Sequence, residues 1–195
     1  MVPTKRLKGT AGSQPMISEL ITSIVTDHKR YPLSDFLRTD HRGNHPLECD
    51  QACYRCLQRY SNQSYHGLLD WRLGLAFLQL LHDPNWRCGL DGTFEGPALS
   101  DWPRLARRYA EEMNRFSEVE VRDVAGLTAF RLDTRRPNWA LVVHPLWDVN
   151  ALLGIVGQAY ELLDGPGAII TPVDTFELAR RLVTVRQELL NSPPP

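Results

Sequence analysis

The feature that most constrains this chain is a group of three cysteines, Cys49, Cys53 and Cys56, inside the polar stretch ECDQACYRCLQRYSNQ (48–63). A cysteine without a special task behaves as a small buried hydrophobe, and a polar segment is a poor place for three of them. The two-residue gap between Cys53 and Cys56 lets both thiolates point into one tetrahedral site at Zn–S distances of about 2.3 Å. Zinc suits thiolate ligands, and a bound ion would help order a loop with little core of its own. Unligated free cysteines and an iron–sulfur cluster are the alternatives. A thioredoxin-type redox pair lacks its strand–motif–helix context here. The fourth cysteine, Cys88, is assigned to the metal set. His45, His41, His66 and a residue of another chain are the competing fourth ligands.

Clustered cysteines favour metal over disulfide where the compartment is reducing. The N-terminal MVPTKRLKGTAGSQP has no apolar core of a secretory signal, and no apolar run approaches a membrane span, so the sequence is read as cytoplasmic and without a membrane partner. The formal net charge of the 195 residues is -1, so any contact with nucleic acid must come from local patches.

Residues 1–15 read as a loose polar leader. Apolar residues at helical spacing in 16–31 predict a helix closed by Pro32. A second helix is expected over about 67–82, with leucines and alanine almost all round it, as in a buried central helix. The Gly/Pro-rich run 84–103 reads as a loop and a domain boundary. This divides the chain into a helical zinc-binding region, 16–90, and a second domain, 100–190. The second domain has a helix begun at SDWP, strands in EVEVRDVAG, TAFRLD and NWALVVHPLW, a helix in NALLGIVGQAYELLDG, a strand in GAIITPV, and a last helix capped by Asp174. The order α-β-β-β-α-β-α predicts an α/β (α+β) layer domain.

The stretch CDQACYRCLQRYSNQSYHGLLDWRLGLAFL resembles the zinc-binding domain at the C-terminus of MrfA-type DEAD/DEAH-box helicases, which act in bacterial DNA repair and in phage defence. The resemblance is carried by ACYRCL (52–57), Tyr60, Asn62, Gln63, His66, Leu68, Leu69, Asp70 and Arg72. It places Cys49, Cys53 and Cys56 on cysteine positions of a four-cysteine family pattern. It implies a structural zinc and helicase motor domains, or a motor subunit, as the partner, with DNA as a further one. No G-x-x-x-x-G-K-[ST] loop or D-E-x-H motif occurs, so the chain is not a motor by itself. Asn62, Gln63, His66 and Arg72 then form a polar surface for nucleic acid or the motor, or else cap the helix and brace the metal loop.

The order α-β-β-β-α-β is also that of a PD-(D/E)xK nuclease core, a fold-level analogy. Asp133 stands where a metal-binding acid is needed, but the next strand has no acid-x-Lys and no lysine follows Lys29. A degenerate, non-catalytic core fits better than a divergent metal-dependent nuclease. A pure protein-interaction adaptor is the other alternative. His144 and Asp148 end the central strand, where α/β sites often lie, though His-Pro also simply terminates strands. The pairs Arg107-Arg108, Arg135-Arg136 and Arg180-Arg181 either meet phosphates or lie on solvated surfaces.

Overall fold

The computed structural model of the chain describes residues 17–26, 39–40, 43–132 and 138–191. The leader, His41, Asp133, Arg135-Arg136 and the tail lie outside the described residues.

Helix α1 (Ile17–Val25) precedes a minimal antiparallel ladder, β1 (Thr39–Asp40) with β2 (Gly43–Asn44), and a single helical turn, α2 (His45–Glu48). A 3-10 segment (Tyr60–Leu68) leads to α3 (Trp71–His82), against which α1 packs. The expected helix over 67–82 therefore starts at Trp71. Asp70 is extended and its side chain accepts a hydrogen bond from Leu73 N at 3.0 Å, which fixes the N-cap there. Its apolar circumference is not all buried either. Trp71, Arg72, Leu75 and Ala76 face inward, while Phe77 and Leu81 are exposed.

The second half follows the expected order. After α4 (Gly96–Leu99) come α5 (Trp102–Glu112), β3 (Glu120–Val124), β4 (Leu127–Arg131), β5 (Asn138–Val143), α6 (Gly154–Leu163), β6 (Ile169–Asp174) and α7 (Thr175–Asn191). The sheet order is β3-β4-β5-β6, with β3, β4 and β5 antiparallel and β5–β6 parallel. The β5–β6 connection runs through α6, as a parallel crossover requires. The apolar run of β5 is buried from Trp139 to Val143, as a central strand should be. Pro172 sits on the edge strand β6, the position in a sheet where proline is tolerated. Asp174 caps α7, its Oδ1 accepting from Glu177 N at 2.8 Å. The chain is thus a mixed helix–sheet, α/β protein. Neither β4 (LTAFR) nor β5 (NWALVV) carries an acid, so these described strands hold no nuclease-type metal pair.

The buried residues form one cluster that runs from Cys49, Cys56, Trp71 and Leu75, through Cys88 and Leu99 within the 84–103 segment, to Phe130 and Leu141 of the sheet. Among the described residues no helix is long and apolar enough to cross a membrane.

Candidate metal centre

The metal loop begins at α2. Asn44 caps that turn, accepting from Leu47 N at 3.4 Å, and Pro46 follows at its first positions. One turn of helix puts residues i and i+4 on one side. His45 and Cys49 are so spaced, and Cys49 N donates to His45 O at 2.9 Å. The chain then turns at Cys53–Cys56, where Cys56 N and Gln58 N both donate to Cys53 O at 3.0 Å.

The result is a group of four ligand atoms, from His45, Cys49, Cys53 and Cys56, all within 4.8 Å of one another. Cys49 and Cys56 sulfurs are 3.8 Å apart, Cys53 and Cys56 4.0 Å, and Cys53 Sγ lies 3.4 Å from His45 Nε2. A tetrahedron with Zn–S of about 2.3 Å and Zn–N of about 2.0 Å has edges of about 3.8 Å between sulfurs and about 3.5 Å from sulfur to nitrogen. The donor set and its spacing therefore fit a closed Cys3His zinc site. His45, Cys49 and Cys56 are buried and Cys53 is half-buried.

Backbone amides point at two of the sulfurs. Arg55 N donates to Cys53 Sγ at 3.4 Å, and Cys53 N donates to Cys56 Sγ at 3.2 Å. The thiol of Cys49, hydrogen-bonded to Cys56, pulls the Cys56 pKa down to about 4, and the Cys53 and Leu57 amides add to this. The same contact, with burial, pushes Cys49 up. One sulfur thus carries charge readily while its neighbour keeps the proton until a cation arrives.

Outside the ligands, the loop is held by side chains from both halves of the chain. Arg72 Nη1 donates to Cys49 O at 2.7 Å and Asp50 O at 2.9 Å. Its Nη2 donates to Pro46 O and, at 3.1 Å, to Asp101 Oδ2. Trp71 Nε1 also donates to Cys49 O, at 3.1 Å, and its ring lies 4.2 Å below the Arg72 guanidinium. Asp50 receives both Nη groups of Arg108 on α5, one at 3.0 Å. Arg180 on α7 donates to Gly67 O and, at 3.1 Å, to Leu69 O. Gly43 has φ +107°, and a Cβ there would lie 1.9 Å from Glu48 Oε1, which accepts from Asn44 N at 3.0 Å. Only glycine fits that turn.

Among the residues assigned from sequence to a nucleic-acid or partner surface, Arg72 is 5% exposed, and both its Nη groups are engaged with the metal loop and Asp101 while its buried Nε has no partner among the described residues. Asn62 Oδ1 accepts from Arg59 N at 2.8 Å and its Nδ2 donates to Leu57 O at 3.0 Å. His66 Nε2 donates to Asn62 Oδ1 at 2.9 Å and Arg59 O at 3.0 Å. These three brace the loop, the second of the two roles read from sequence. Gln63 is exposed.

Cys88 stands apart from the group. Its Sγ is 3.6 Å from His144 Nδ1, and its carbonyl accepts from Trp147 Nε1 at 2.7 Å. Leu146 N also donates to His144 Nδ1, at 3.2 Å, so that nitrogen is an acceptor and the thiol the donor. Burial pushes Cys88 up to about 12 and His144 down to about 4, so the pair is neutral. The fourth corner of the tetrahedron is His45, because α2 carries it there, while Cys88 lies beside the end of β5. Asp148 caps a turn, accepting from Asn150 N at 3.1 Å. Trp147 packs against Trp102 and Phe94. Arg107 pairs with Glu111 and Arg181 with Glu177, so both sit on ion-paired helix surfaces.

The His45–Cys49 interval was the signal available for the fourth ligand. The bracing arginines, Arg108 and Arg180, have no local sequence signature, because their partners lie 58 and 111–113 residues away. No protein-family model, curated protein or solved structure matches the chain.

Proposed function

We propose that the chain is an accessory module of a helicase-type DNA-processing system, in repair or phage defence, built around one structural zinc ion. The observation that carries the zinc reading is the convergence of the His45, Cys49, Cys53 and Cys56 ligand atoms within 4.8 Å, with three of the edges at 3.8, 4.0 and 3.4 Å. Four protein ligands close the coordination sphere, which is the mark of a structural site. The ion would tie α2 to the Cys53–Cys56 turn, and Arg72, Arg108 and Arg180 would hand that rigidity to the α/β half. The helicase association is supported by the resemblance of the 49–78 stretch to MrfA-type zinc domains. There His45 stands in for a cysteine of the family set. Docking to a motor subunit, DNA or both follows from that likeness.

The test is co-expression with the nearest-encoded DEAD/DEAH-box motor, followed by size-exclusion chromatography and metal analysis of the peak. The expected result is a stoichiometric complex with about one zinc per chain. Separate elution would refute the motor partnership, and a metal-free chain would refute the zinc site.

A further inference from the structure

We propose that the outer surface of the metal loop is a docking surface for single-stranded DNA, with bases stacking on Tyr54, Tyr60 and Tyr65 and phosphate meeting Arg59. This deepens the preceding reading and rests on it for the choice of DNA as the strand.

Of the residues named for nucleic acid from sequence, Asn62, His66 and Arg72 are engaged within the loop and Gln63 is exposed, beside three exposed tyrosines. Tyr54, Tyr60 and Tyr65 are 63%, 85% and 60% exposed. One exposed tyrosine needs no explanation, but three within twelve residues concentrate exposed aromatic area on this loop. The run 51–69 contains Arg55 and Arg59 and no acid. Glu48 pairs with Arg55 at 3.1 Å, which leaves Arg59, exposed and bonded to Gln58 O, as the cation of the surface. The nearest acids on either side are engaged: Asp50 with Arg108, and Asp70 as the cap of α3 beside Arg180.

The surface is also rigid. Asn62 and His66 tie the 3-10 segment to the Leu57 and Arg59 carbonyls. Tyr54, on the Cys53–Cys56 turn, meets His66 edge-on with centroids 5.5 Å apart. Aromatic rings carried beside a cation on a hydrogen-bonded loop are the elements of sequence-tolerant single-strand binding. A duplex keeps its base faces closed, so rings projecting from a loop have nothing to stack on. Between the tyrosines lie Gln58, Ser61, Gln63 and Ser64, which suit base edges and phosphates better than the apolar centre a protein interface needs.

The test uses the zinc-loaded full chain and a labelled oligo-dT of about 12 nucleotides in anisotropy titrations at low salt. The strand is expected to bind, and a duplex of the same length to bind at least about tenfold more weakly. Tyr60→Ala and Tyr65→Ala should each raise Kd about tenfold, and Tyr60→Phe should keep the affinity. Arg59→Ser should reduce the slope of log K against log salt by about 0.7. No binding, equal duplex binding, or an unchanged Kd in both alanine variants would overturn the proposal. Tyrosine variants that lose the motor subunit while the chain ignores oligo-dT would make this a protein contact and overturn it too. Zinc content and motor co-elution are read separately, so the module reading stands or falls without this one.

Discussion

Replacing Arg72 by methionine separates a brace from a surface residue. Methionine keeps an unbranched stem over Trp71 but removes the guanidinium. Cys49 O would retain its bond from Trp71 Nε1, and Asp101 would retain Arg104, which donates to it at 2.6 and 2.7 Å. Pro46 O and Asp50 O would lose their donor. Each of these part-buried bonds from a charged donor is worth about 1.5–3 kcal/mol, so losing the two costs about 4 kcal/mol. For a chain of this size that is about 12 °C in Tm. Urea melts and calorimetry of zinc-loaded wild type, Arg72→Met and Arg72→Lys measure it at fixed free zinc. Lysine has one donor group in place of a fork and should recover less than half of the loss. Gln63→Ala, on the exposed surface, should stay within about 0.5 kcal/mol of wild type. An Arg72→Met variant within about 1 kcal/mol of wild type would refute the bracing role.

Three further outcomes follow from the same geometry. His144 has its pKa lowered to about 4 by burial, below its unfolded value, so the unfolded chain binds more protons between the two. Stability is therefore complete above about pH 6.5 and is lost as pH falls toward 4, by about 3 kcal/mol in all; His144→Asn, which keeps an acceptor near Nδ1, should flatten that part of a stability–pH curve, and an unchanged curve would contradict it. Gly43→Ala forces either a left-handed alanine or the displacement of Glu48, and should cost about 1–3 kcal/mol and weaken zinc retention against a chromophoric chelator; equal retention would argue against the tight turn. Cys88→Ser should leave zinc content at about one per chain, whereas His45→Ala should lower it; the opposite order would return Cys88 to the metal set.

Much of the fold was legible in the sequence because it rests on local periodicity. The short apolar run WALVV read as a central buried strand, and the Asp174 cap announced α7. The metal loop was legible from Cys53 and Cys56, whose two-residue gap is a property of ligand geometry. What failed were readings that depend on where a chain goes next. The leucines after His66 read as one helix, but Asp70 closes the cap at Trp71 and Leu68 is left exposed. Cys88 looked like a ligand because it was the remaining cysteine, yet the chain carries it to His144 and Trp147. Arg72 read as surface or brace, with the brace favoured, and its contacts with Cys49, Asp50 and Asp101 are those of a brace.

The most direct test of the central claim is zinc K-edge X-ray absorption on the purified chain. The structure predicts a four-coordinate shell of three sulfurs at about 2.3 Å and one imidazole nitrogen at about 2.0 Å. A four-sulfur shell would put a further cysteine where His45 stands, and a chain without zinc would contradict the site altogether.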